Sequence, residues 1–162
     1  MALSAPRQIH QLGWDTKPPT RAAGVAAGAV IFHGAMCGPD ANGYMAPAST
    51  TVRPKGVADL EIWNDLVRSG QQTPGVEYET PGRVVDNSTG ADGARQIVVR
   101  HGVFAMKNKA GDEVTQAMVG SPVYSTDDET VQATGGGVVA GILHGFSDSG
   151  LPLILIESAA TE

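Results

Sequence analysis

Cysteine is nearly missing from this chain. Cys37 is the only one in 162 residues, so no internal disulfide can form, and a lone thiol agrees with a reducing compartment. Aromatic residues make up 5%, and 11 basic residues stand against 17 acidic ones for a net charge of -6. The basic residues are scattered, which leaves no footprint for a phosphate backbone and predicts no nucleic-acid partner. Long hydrophobic runs are lacking too. The longest, Val25–Phe32 and Leu151–Ile156, are far below the ~20 residues a bilayer crossing requires, so no membrane span is expected. Arg7 and His10 near the N-terminus have no apolar run behind them, which excludes the core of a secretory signal and predicts synthesis in the cytoplasm.

Glycine and proline are abundant instead. The 21 Gly and 10 Pro are spread along the chain without a repeat, a composition that predicts short strands joined by many turns. Gly-Val recurs at Gly24, Gly56, Gly75, Gly102 and Gly137, each time near a strand candidate and at irregular spacing. Frequent bends of this kind suit a small glycine-rich barrel or curled sheet, so the expected class is all-β with little helix. Two regions follow. Residues 1–21 carry Pro6, Pro18 and Pro19 with Ile9, Leu12 and Trp14 as their apolar groups, and read as an extended arm that Trp14 anchors to another surface. Residues 22–162 hold the β-rich domain.

The stretch from Gln96 to Asp128 organises that domain. Ile97, Val99, Val103 and Ala105 alternate onto one strand face, and Val98, Phe104 and Met106 share the other with Arg100 and the gap at Gly102. A strand apolar on both faces needs cover on both, from its own domain or from another subunit. Val98, Phe104 and Met106 are therefore candidates for a subunit interface. A turn is expected at Asn108–Asp112, one helical turn in Glu113–Val119 with Asp112 as its N-cap, a strand at Pro122–Ser125 and a solvated acidic turn at Asp127–Glu129.

Elsewhere, Gly24–Phe32 reads as one buried strand, followed by a loop at Gly38–Gly43 and a short strand at Tyr44–Ala46 ended by Pro47. Thr51–Ile62 alternates weakly, with helical spacing of Leu60, Trp63 and Val67 as the competing reading of Glu61–Arg68. Val76–Thr80 and Arg83–Asp86 read as strands, and Asn87–Gly93 as a loop whose Asn87-Ser88-Thr89 glycosylation pattern marks a turn. Thr130–Ala133, Val138–Phe146 and Leu151–Glu157 complete the set. The last two are nearly all apolar, which predicts central strands joined by a hairpin loop.

No chemistry is announced by spacing. Asp148-Ser149-Gly150 matches a serine-protease tripeptide but sits at a hairpin tip without a base or oxyanion donors. Cys37 lies four residues after His33, and His101 and His144 are dispersed, which is not the paired-ligand pattern of a zinc site. Asp127-Asp128-Glu129 lacks the alternating oxygen ligands of a calcium loop. Gly135-Gly136-Gly137 precedes a β-branched strand instead of the helix that a phosphate cradle requires. The expectation is a protein with no catalytic residues, no metal and no cofactor. The rival enzyme reading is a small cytosolic β-barrel hydrolase using Ser149 or Cys37.

From Gly24 to Glu157 the order of motifs resembles the capsid decoration (cement) proteins of tailed bacteriophages. The resemblance is carried by AAGAVIF, Gly43-Tyr44 with Pro47, Gly56-Val57-Ala58, Gly102-Val103-Phe104, Gly120 with Val123-Tyr124 and Asp127-Asp128, and Gly141-Ile142 before LPLILIE. The arm before Arg21 and the segment Asn64–Gly82 depart from it. The resemblance implies a structural virion protein, made in the host cytoplasm and bound to the outside of the head lattice. It further implies the major capsid protein as partner and a homo-oligomer, a trimer over a dimer, with Ile9, Leu12 and Trp14 of the arm as the capsid-docking residues. A tail or fibre component of the virion is the neighbouring alternative.

Overall fold

A computed structural model describes residues 20–59 and 84–157. The candidates before Thr20, among them Ile9, Leu12 and Trp14, lie outside the described residues, as do the alternatives at Glu61–Arg68 and Val76–Thr80. Within them the chain is all-β. Its strands are β1 (Thr20–Gly24), β2 (Val30–Phe32), β3 (Met36–Pro39), β4 (Met45–Pro47), β5 (Gly56–Ala58), β6 (Val84–Asp86), β7 (Gln96–Arg100), β8 (Gly102–Ala105), β9 (Lys107–Asn108), β10 (Pro122–Ser125), β11 (Thr130–Gln132), β12 (Val139–Phe146) and β13 (Pro152–Ile156). The expected helical turn is a single 3-10 turn, Gln116–Met118. Its N-cap is Thr115, not Asp112, and no side chain caps it.

Three sheets form, in the orders β1-β7-β5-β3-β4, β8-β13-β12-β10-β11-β9 and β2-β6. Most pairings are antiparallel, and β9 with β11 is parallel. The described residues build no closed barrel, which corrects that part of the expectation. The reason lies in the organising stretch. What reads as one strand from Gln96 to Met106 is cut at His101, and Gly102 takes φ +140, a conformation that a Cβ would disfavour. The chain there leaves the five-stranded sheet and enters the six-stranded one, so neither sheet can close on itself.

The cut also decides what the two apolar faces meet. Ile97 and Val99 enter a core with Val25, Ile31, Cys37 and Val85. Phe104 and Met106 enter a second core with Val57, Val123, Leu143 and Ile154. Val98, Phe104 and Met106 are all buried by the chain itself. Their assignment to a subunit interface is thereby corrected, because full burial of side chains of this kind, about 1.5–3 kcal/mol apiece, stabilises the domain itself.

Other differences are local. The run Gly24–Phe32 is two strand segments divided by a turn at Ala27–Gly28. Met36–Pro39 is a strand, not a loop, paired with both β4 and β5. β12 and β13 are central, as their composition predicts, and join through a tight loop in which Ser147 donates its N–H to Leu151 O at 2.9 Å.

Candidate functional site

The residues singled out for chemistry do not converge. Ser149 sits exposed at the β12–β13 tip, where its hydroxyl meets that of Ser147 at 2.9 Å. His144 is exposed on β12, while His33 is buried in the turn between β2 and β3. Cys37 lies on β3 inside the first core. Burial pushes its thiol up to about 12, helped by the negative charge of Asp128, so the nucleophilic thiolate is suppressed at neutral pH. Among the described residues no group of three or more His, Cys, Asp or Glu can hold a metal ion. Gly135-Gly136-Gly137 is a bend leading into β12, with no helix behind it.

The acidic turn departs most from expectation. Asp127, Asp128 and Glu129 are buried, not solvated. Asp127 Oδ1 accepts the Glu129 N–H at 3.0 Å, and Glu129 Oε1 pairs with Lys107 Nζ at 2.7 Å. The backbone serves as well: Asp128 O accepts the Met36 N–H at 2.6 Å, and Glu129 O accepts the Lys107 N–H at 2.8 Å. The turn thus joins β3 of one sheet to β9 of the other. Burying carboxylates is tolerable only when they are hydrogen-bonded or paired. Sequence reasoning missed this because three acidic residues in a row carry the same signal whether they face water or a lysine 22 positions away.

Two further polar groups are structural. Arg100 forms an ion pair with buried Asp59, tying β7 to the end of β5. Asn87 is buried and donates through Nδ2 to Val25 O, Ala26 O and Ala91 O at 3.1, 2.9 and 3.0 Å. Its glycosylation-like context is therefore a turn anchor, as the sequence reading has it.

One face stands out as a surface. On the outer side of the six-stranded sheet, Val103 lies opposite Leu155, Leu155 opposite Ile142, and Ile142 opposite Pro122. No charged residue occupies this row, although an antiparallel sheet facing water normally alternates apolar with polar. Ile142 is 39% exposed, and Val119 and Leu151 are exposed with it.

Comparison of the chain with protein-family models, curated proteins and solved structures finds no match.

Proposed function

We propose that this protein is a capsid decoration protein that binds the outer surface of a phage head lattice and reinforces it. The observation that carries this reading is the order of glycine-led strand motifs from Gly24 to Glu157. Two features of the fold are compatible with it. Buried polar groups such as Glu129, Asn87 and Asp59 are engaged in internal pairing, as a static shell component requires. A net charge of -6 suits a protein on the far side of the shell from the genome.

In this reading the partner is the major capsid protein and the protein assembles as a homo-oligomer, a trimer over a dimer. Because Val98, Phe104 and Met106 are buried, the contact between copies passes to the uncharged outer row, with Ile142 at its exposed end. A closed oligomer multiplies weak contacts to the lattice into retention.

The test is addition of the purified protein to expanded heads that lack it, followed by co-sedimentation and electron microscopy. Density on the head exterior is the expected result. Density on the tail or fibres would transfer the protein to that part of the virion. Fast stoichiometric labelling of the folded protein at Ser149 by a phosphonate would replace the structural reading with the hydrolase one. Light scattering checks assembly: a species at the 16.7 kDa of one chain at capsid-like concentration counts against the oligomer.

A further inference from the structure

In an antiparallel ladder successive residues turn their N–H and C=O toward opposite edges. Val98 O accepts the Asp59 N–H at 2.9 Å on the β5 side, so Ile97 and Val99 face β1. Past the break, Met106 donates its N–H to Pro152 O at 2.9 Å, so Phe104 and Met106 face β13, and Val103 and Ala105 face the other edge. The odd-numbered residues therefore point to β1 before the break and to the outer edge of β8 after it. That edge has no partner strand among the described residues.

β1 is antiparallel to β7 and pairs Gly24 with Gln96 through to Thr20 with Arg100. Followed backward from Thr20, the chain is headed along β8. In an unchanged register Lys17 falls opposite Val103 and Asp15 opposite Ala105, while Thr16 and Trp14 share the face of Phe104 and Met106. The distances match without adjustment, since both strands advance ~3.3 Å per residue.

The residue types fit this placement. Pro18, at an even position, would turn its missing N–H away from the ladder, where proline is tolerated on an edge strand. Pro19 falls opposite His101, where the strand is already interrupted. Lys17 and Asp15 would lie on the outer side, with the lysine stem across Val103 and both charges in water. β8 itself, Gly-Val-Phe-Ala, has neither a charge nor a proline to blunt an edge. Val103 and Ala105 are only 7% and 8% exposed, yet the apolar neighbours described for them on that face are Leu153 and Leu155 alone.

We propose that residues 14–17 of the same chain add to β8 as an antiparallel strand, so that β1 and its N-terminal extension form one edge strand spanning the five-stranded and six-stranded sheets. This goes beyond the decoration reading and does not rest on it. It assigns the segment around Trp14 to the protein's own domain, where the sequence alone suggested the shell.

Proline substitution in the full-length chain tests the proposal by parity. Asp15→Pro removes an N–H aimed at β8 and introduces a clash there, whereas Thr16→Pro removes one aimed outward. Amide exchange at Val103 and Ala105 is the readout. The expected result is protection in the wild type, acceleration of tenfold or more in Asp15→Pro confined to β8, and less than twofold change in Thr16→Pro. Equal exchange in all three proteins would overturn the proposal. Protection that disappears on dilution would also overturn it, because the strand would then come from a second copy. A readout that does not depend on the proline variants is Trp14 emission in Trp63→Phe. Blue-shifted, quencher-protected emission in the isolated protein is expected, and emission as accessible as that of free tryptophan would refute the added strand. Failure of the protein to bind heads would leave both readouts unchanged.

Discussion

Met36 donates its backbone N–H to the carbonyl of Asp128 at 2.6 Å, and this one bond ties β3 of the five-stranded sheet to the acidic turn of the six-stranded sheet. A second tie lies nearby, where the Ser125 hydroxyl on β10 donates to Ser49 O at 2.8 Å. Both bonds are buried, so neither has water as a substitute partner, and the junction between the sheets is as specified as the sheets themselves.

Ser125→Ala tests that junction. It removes the donor to Ser49 O and leaves a buried carbonyl unsatisfied, with an expected cost of about 1–2 kcal/mol in urea unfolding and no change in fold. A loss below a few tenths would mean that the two sheets are held together by apolar packing alone.

Cys37 predicts an alkaline limit to stability. Its thiol ionises at 9.0 in an unfolded chain and is pushed up to about 12 in the fold by burial and by Asp128. The folded state therefore holds this proton more tightly. The resulting stability is fully present below pH 9 and is lost progressively as pH rises from 9 toward 12, by up to about 4 kcal/mol at 1.36 kcal/mol per pH unit. Chemical unfolding measured from pH 8 to 11 should show this decline in the wild type and a shallower one in Cys37→Ala. Parallel declines would place the alkaline sensitivity elsewhere. Disulfide reagents at pH 8 should modify Cys37 only as fast as the protein opens.

Phe104 separates folding from assembly. It is buried among Met106, Leu143 and Ile154, so Phe104→Ala should cost about 3–5 kcal/mol, and Phe104→Asp should prevent folding at every concentration. A soluble, folded Phe104→Asp protein that has merely lost its oligomeric state would show that the side chain serves an interface after all. Ile142→Asp, on the exposed row, is expected to do the reverse, with thermal unfolding of the monomer nearly unchanged and the assembled mass reduced.

Gly38 marks a contact too close for any side chain. A Cβ there would overlap the Arg53 carbonyl and crowd Pro54 Cα. These are backbone atoms that cannot swing aside, so Gly38→Ala should destabilise by about 2–4 kcal/mol. Gly43→Ala is a useful contrast. Its Cβ would meet nothing, so its cost comes from the positive φ of +86 alone and should stay near about 1 kcal/mol. Similar melting temperatures for the two variants would contradict this.

Much of the β-structure was legible in the chain because short-range physics writes it there. The β-branched runs at Val139–Phe146 and Pro152–Ile156, the turn around Asn87 and the strand at Pro122–Ser125 each follow from alternation and turn residues within a few positions. The all-β class and the central place of β12 and β13 follow from the same local pattern. What the sequence could not express was which segments meet. Gly102 looks like a gap in one strand, and only the fold reveals a transfer between sheets that buries Val98 in one environment and Phe104 and Met106 in another. Asp127-Asp128-Glu129 looks solvated until Lys107 and Met36 are brought to it, and Met36–Pro39 looks like a loop until β4 and β5 flank it. Alternation and turn chemistry act over a few residues and are encoded locally. Burial, pairing and the choice of sheet depend on partners far away in the chain, and those only the tertiary structure decides.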